Sequence, residues 1–332
     1  MFSRFSLHIP EHHENHISLN LPPCSTNHRE KLISAFPEKL TISSLVRWAT
    51  WILQEHGIDS PSLDAEVLLS HLLSCKRIDL YVHPDKPVED AIAMRYRGFV
   101  QKRSQRTPLQ YITNHAEFMS LDFYVDERVL IPRPETELLV DAVVKRAQPP
   151  GSENEILVVD IGVGSGNIAI TLAKMIDKAR IFAIDISLNA LTVAQINAQR
   201  HEVGDKITFL CGDLFQPLEG YGIKLKADFI VSNPPYIASS EFNTLQKEVR
   251  DFEPYTALIS GQDGLQMFKR IIADADRWLK PGGYVIFEVG EKQARSVARL
   301  FQDTGCFKKP VFVKDYQHIH RIVIAQLEES RG

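Results

Sequence analysis

The 332-residue sequence holds only four cysteines, Cys24, Cys75, Cys211 and Cys306, scattered without a Cys-x-x-Cys pair or a metal-ligand spacing. That excludes a disulfide scaffold and a cysteine-based zinc site, and it fits thiols kept reduced in a cytosol. No apolar run approaches the length of a membrane span. The opening MFSRFSLHIPEHHENH has no basic stretch followed by an apolar core, so neither a membrane protein nor an exported one is expected. A strong charge bias is missing as well: the net charge is −4 and the pI is near 6.3. A bulk nucleic-acid binder is therefore not expected, and any such contact would rest on a local patch.

What is present is enough apolar material, 44% of the chain, for one sizeable core and a second smaller one. Residues 1–40 are rich in His, Pro, Asn and Ser without a sustained period and read as a poorly ordered extension, with the HHENH tract a solvated tail rather than a metal site. From Thr41 onward Leu45, Trp48, Ile52 and Leu53 recur at helical spacing up to Gly57. SPSLDAEVLLSHLLSC repeats that pattern, with Ser60 as N-cap and Pro61 at the first helical position. A third helix runs through Ile92, Tyr96 and Phe99. The spacing predicts a helical bundle over 41–115, followed by a β-hairpin over 116–131.

The remainder, 132–332, alternates strands and helices. It opens on a helix carried by Leu138, Leu139, Ala142 and Val143. The strands in EILVVDIG, RIFAIDIS, ITFLCGD and ADFIVSN are continuous apolar runs, as in a parallel sheet covered on both faces. The expected fold class is α/β: a Rossmann-like, mostly parallel, doubly wound sheet. In such sheets ligands bind at the carboxyl ends of the strands.

Those ends carry the candidate site. After the first strand, Gly162, Val163, Gly164, Ser165 and Gly166 form a turn in which the backbone can approach a ligand; alone it is also an ordinary strand-to-helix turn. Asp185 ends the second strand, where a carboxylate can accept both hydroxyls of a ribose. Asp213 and Leu214 follow the third, where an adenine amine could be met. The fourth ends in Asn233, Pro234, Pro235 and Tyr236. Prolines offer carbonyls without N–H donors, so the Asn233 side-chain oxygen and the Pro234 carbonyl can each accept one hydrogen of a substrate NH₂, with Tyr236 as an aromatic face. The plainer reading of these four residues is a rigid exit loop. No His or Tyr–Lys pair suited to hydride transfer accompanies them, which argues against a nicotinamide enzyme.

NPPY after the fourth strand and DIGVGSG before it resemble the amino-methyltransferases that use S-adenosylmethionine. RTPLQYI, VLIPRPETE and EPYTALISGQDGL further resemble their HemK/PrmC branch, over residues 41–326. The resemblance implies methylation of the glutamine amide in the Gly-Gly-Gln loop of translation release factors, in the cytoplasm and without a metal. Gly162 to Gly166 would wrap the methionine end, Asp185 the ribose, Asp213 and Leu214 the adenine, and Asn233 to Tyr236 the glutamine. The helical part lies before the hairpin and carries no strand-end chemistry, so it is expected to dock the protein substrate. Arg133 and Glu135 match the substrate-proximal segment, or pair with each other at a helix start. Asn114 and Ser260 replace glycines of the family pattern, and Leu214 a tryptophan of some members; Asn114 is expected to keep a left-handed turn, and Ser260 to stiffen its loop.

Two other readings stay open. A nucleic-acid amino-methyltransferase, for instance one acting on adenine N6, could use the same grip on a flipped base, with RYRGFVQKRSQR (Arg95, Arg97, Lys102, Arg103, Arg106) as its basic face. A cofactor-binding module without turnover would carry a broken NPPY, and this one is intact.

Overall fold

The Thr41 side chain accepts from the Ser44 amide, and the Ser44 hydroxyl accepts from the Thr41 amide. This reciprocal cap starts the helix Ile42–Glu55, satisfying amides that have no partner within the helix. The computed structural model describes residues 36–147, 154–220 and 226–329. The expected N-terminal extension and its His tract therefore lie almost wholly outside the described residues.

Helices Pro61–Leu73 and Asp90–Ser104 complete the bundle, around buried Leu45, Leu53, Leu68, Leu69, Tyr96 and Val100. Tyr96 keeps its phenol in this core by donating to the Ala65 carbonyl at 2.9 Å. Ser60 holds the N-cap position but makes no side-chain capping bond, so the start there rests on Pro61, whose fixed φ suits the first helical turn. Two short helices, Arg77–Val82 and Leu109–Thr113, had no counterpart in the sequence reading, because five or six residues are too few to show a period. The second ends at Asn114, which is left-handed at φ 52° as expected.

Two residues of the basic stretch are engaged within the protein. Arg103 donates to Asp64 at 2.7 Å and to Glu248 at 3.2 Å, and Arg106 reaches the same Glu248 at 3.1 Å. Glu248 belongs to the short helix Lys247–Phe252, far along the chain. These arginines join the bundle to the loop that follows NPPY.

Strands β1 (Ala116–Phe118) and β2 (Leu121–Phe123) form the hairpin. The large sheet contains β3 (Ile156–Ile161), β4 (Ala179–Asp185), β5 (Ile207–Cys211), β6 (Ala227–Ser232), β7 (Leu279–Glu288), β8 (Val311–Lys314) and β9 (His320–Gln326). Its seven strands run in the order β5-β4-β3-β6-β7-β9-β8. Pairing is parallel from β5 to β7, and β9 is antiparallel to both β7 and β8. Two apolar clusters, one on each face of the sheet, cover it from both sides, which accounts for the unbroken apolar runs. The strand order reverses at β3, with β4 on one side and β6 on the other, so a crevice opens at the carboxyl ends of these parallel strands.

Arg103 is almost fully buried between two carboxylates. Removing it strands the buried Asp64 and leaves Glu248 with Arg106 alone, so Arg103→Ala should cost about 3–5 kcal/mol. Urea unfolding is the check, and a loss below about 1 kcal/mol would show that the cluster is no anchor.

Candidate functional site

The crevice is walled by exits from four strands. Ser232, the last residue of β6, donates from Oγ to the Ile161 carbonyl of β3 at 2.6 Å. The bond ties the two exits together, so Asn233 and Gly162 stand side by side on its wall. In the turn after β3, Gly162 and Gly164 have φ of +77° and +53°, and a Cβ at either would meet open space. These glycines leave room in the cleft. Gly166 serves another purpose: a Cβ there would lie 2.7 Å from Ile170 Cδ1 and 3.2 Å from Ala194 Cβ, so it allows close packing of the helices Asn167–Met175 and Leu188–Arg200.

The turn is held from below. Fully buried Asn197 donates to the Ser165 and Tyr124 carbonyls, both at 2.9 Å, and accepts from the Tyr124 amide at 2.7 Å. One side chain thus fastens the end of the hairpin to the glycine turn. Asp185 accepts from the Gly164 amide at 2.9 Å and the Ser187 amide at 2.8 Å. A carboxylate has about four acceptor positions, so these two bonds shape the turn and leave capacity for a ligand's hydroxyls. Burial raises the Asp185 pKa against the pull of those amides. Asp213 and Leu214 lie on the wall, with Leu214 at φ 49°. The Asp213 carboxylate is engaged by Arg270 at 2.5 Å on the exposed rim.

At β6, Asn233, Pro234 and Pro235 line the cleft and Tyr236 does not. The Tyr236 ring instead packs behind them against the second apolar cluster, and its carbonyl accepts from Gln293 Nε2 at 2.8 Å. The aromatic face expected on the wall thus lies against the apolar cluster and outside the cleft-lining residues. Burial raises the phenol pKa well above its usual range and keeps it neutral. The Asn233 amide donates from Nδ2 to Thr136 Oγ1 at 3.2 Å, and the Thr136 hydroxyl donates to Glu288 Oε2 at 2.5 Å. Asn233 Oδ1 is shielded from solvent and has no hydrogen-bond partner among the described residues.

Arg133 pairs with Glu253 at 2.5 Å rather than with Glu135, which corrects the alternative of a helix-start ion pair. Glu253 also accepts from the Ile131 amide at 3.4 Å, so the PRPET segment is clamped to the loop after NPPY. Ser260 does more than stiffen that loop: its hydroxyl accepts from the Met267 amide at 2.9 Å, beside the start of helix Gln266–Trp278.

Two stretches match known families: residues 44–113 the PrmC N-terminal domain, and residues 134–250 the methyltransferase small domain. The release factor glutamine methyltransferase of Geobacter sulfurreducens is 41% identical over 290 residues, covering 86% of this chain and 97% of the relative. That of Rhodopirellula baltica is 38% identical over 287 residues, covering 86% and 96%. Among solved structures, the hMettl16 catalytic domain in complex with the MAT2A 3'UTR hairpin 6 shares the fold, with a TM-score of 0.50 at 15% identity, over 73% of this chain and 84% of that one. The chain belongs to the release factor glutamine methyltransferase family.

The sequence reading of this methyltransferase passed over Asp160, Thr136, Glu288, Glu253, Asn197 and Gln293. Asp160 had a visible signal, a lone acid inside the apolar run LVVDI. It lies fully buried on β3, next to the strand's end, and neither carboxylate oxygen finds a hydrogen-bond partner among the described residues. Burial first, and the neighbouring Asp185 second, push its pKa up to about 7. The other five are spread over distant parts of the sequence and meet only in the fold. Among the described residues no group of three or more His, Cys, Asp or Glu could hold a metal ion, and no helix is long and apolar enough to cross a membrane.

The raised Asp160 pKa has a definite sign. The folded chain binds this proton more tightly than the unfolded chain, so its stabilisation is complete below the ordinary aspartate range and is lost as pH rises through about 7. Asp160→Asn removes that dependence. In ligand-free protein, the melting temperature of Asp160→Asn relative to wild type should be several degrees more favourable at about pH 8 than at about pH 5, by scanning calorimetry. A difference independent of pH would mean that Asp160 stays ionised throughout.

Proposed function

We propose that this methyltransferase transfers a methyl group from S-adenosylmethionine to the side-chain amide nitrogen of the glutamine in the Gly-Gly-Gln loop of translation release factors, acting in the cytoplasm. The observation that carries the reading is the Asn233 oxygen: a buried acceptor without a partner among the described residues, on a residue lining the cleft beside the glycine turn. Buried acceptors are almost always satisfied, and an incoming NH₂ group supplies the missing donor.

The residues around the cleft suit the cofactor. Gly162 and Gly164 leave their side-chain positions open, and the half-used Asp185 on the cleft wall offers acceptors for the hydroxyls of a ribonucleoside. S-adenosylmethionine, when bound, supplies an activated methyl group on a sulfonium. The protein's own task is orientation. An amide nitrogen is a poor nucleophile because its lone pair is delocalised, and well-oriented reactants can gain roughly 7–11 kcal/mol of barrier. Asn233 Oδ1 and the Pro234 carbonyl hold the two N–H groups, and both bonds strengthen as positive charge builds on the attacking nitrogen. The nucleic-acid reading is weaker, because Arg103 and Arg106, two of the five residues of its basic face, are engaged with Asp64 and Glu248.

Methyl transfer from labelled cofactor to a purified release factor, with mass spectrometry of the Gly-Gly-Gln peptide, is the direct test. Asn233→Ala should lower the single-turnover rate on the order of 10²-fold, in the range seen when one preorganised polar contact is lost. Asn233→Asp should fall between Asn233→Ala and wild type. Full activity in Asn233→Ala would reduce NPPY to a rigid loop.

The helical part, proposed to span 41–115, is the docking element in this reading. Its short helix Arg77–Val82 presents Ile78, Tyr81 and Val82, each about 60% exposed, an apolar surface suited to a protein partner. Ile78→Asp combined with Val82→Asp should raise KM for the intact release factor on the order of tenfold and leave methylation of a short Gly-Gly-Gln peptide unchanged. An unchanged KM for the intact protein would place docking elsewhere.

A further inference from the structure

An asparagine side chain has nearly the same shape in its two amide orientations, yet only one of them presents an acceptor. What decides the orientation of Asn233 lies outside NPPY. Glu288, the last residue of β7, and Thr136, in the turn Pro134–Thr136 before helix Glu137–Ala147, are 2% and 1% exposed. They form a file with Asn233: amide to hydroxyl at 3.2 Å, hydroxyl to carboxylate at 2.5 Å.

A hydroxyl has one hydrogen, and a carboxylate only accepts. With its hydrogen committed to Glu288, the Thr136 oxygen can offer Asn233 only lone pairs. The amide must then turn its NH₂ toward Thr136 and its oxygen away. Reversed, the amide oxygen would face a hydroxyl oxygen with no hydrogen left to give, and the cleft would meet a donor instead of an acceptor. We propose that Thr136 and Glu288 are positioning residues for methyl transfer, setting the direction of the hydrogen-bond file so that Asn233 Oδ1 is the group left to accept from the substrate amide. This rests on the function proposed above. Burial raises the Glu288 pKa to about 7, so the file has this direction while Glu288 is ionised, above that value, and loses it as the group takes up a proton below it.

Single-turnover methylation of a release factor at saturating cofactor, with KM and cofactor affinity measured in parallel, tests the assignment. Thr136→Val keeps the shape and removes the hydroxyl. It should lower the rate about tenfold or more and change KM and cofactor affinity less than about twofold, and Thr136→Ser should recover most of the loss. Wild-type rate in Thr136→Val, equal loss in Thr136→Ser, or a loss confined to KM or cofactor affinity would overturn it. If Thr136→Val does not fold, Glu288→Gln decides: its amide can donate to the hydroxyl as well as accept, so the file loses its direction and the rate should fall with the same unchanged KM, whereas a wild-type rate overturns the proposal. Hydrogen exchange of the Asn233 side-chain NH₂, followed by NMR in the ligand-free protein, reads the file without turnover. It should be slow in wild type and in Thr136→Ser and fast in Thr136→Val, and equal rates in all three would overturn the assignment. Absence of release-factor methylation by the wild-type protein would sink the functional reading, and the file would still be judged by this exchange.

Discussion

The parallel pairing of β3 with β6 is the constraint on which everything else depends. Parallel strands bring their carboxyl ends to the same edge, so the glycine turn and the NPPY segment emerge together without being near each other in sequence. The Ser232 hydroxyl bound to the Ile161 carbonyl fixes their spacing at the last residue of each strand. A backbone carbonyl at a strand exit often finds water; here it finds a buried side chain, and the exits are locked before any ligand arrives.

Around that edge the protein places buried charge in two ways. Glu253 and Glu248 are paired, with Arg133 and with Arg103 and Arg106, and hold the loop after NPPY to the PRPET segment and to the helical bundle. Asp160 and Glu288 have no basic partner within ion-pair distance among the described residues, and burial raises both pKa values. The first kind organises the chain; the second lies next to the cleft, where perturbed groups mark functional positions.

The sheet was legible because buried parallel strands are continuous apolar runs, and the helices because Leu45, Ile52, Leu53 and their counterparts keep a 3.6-residue period. Gly162 to Gly166, Asp185 and Asn233 stand out because each breaks such a run at its end. Thr136 and Glu288 break nothing: a threonine near a helix start and a glutamate ending a strand are ordinary locally, and acquire meaning only when β7 is laid beside β6. Tyr236 shows a different limit. The sequence shows an aromatic next to two prolines but not which way the ring turns, and the ring turned to the apolar layer because a full face of the sheet was there to receive it. Likewise, a cluster of arginines looks like a surface until the carboxylates of Asp64 and Glu248 are seen against it.

The unpartnered Asn233 oxygen also bears on how a catalytic cycle ends. An unmodified carboxamide has two N–H groups and a singly methylated one has only one. A corner that offers two acceptors is therefore filled by the reactant and left half-empty by the product, which must also place a methyl group where a hydrogen sat. In the proposed binding mode, the geometry that grips the starting amide loosens on the finished one, favouring product departure and disfavouring a second methylation without any separate device for either.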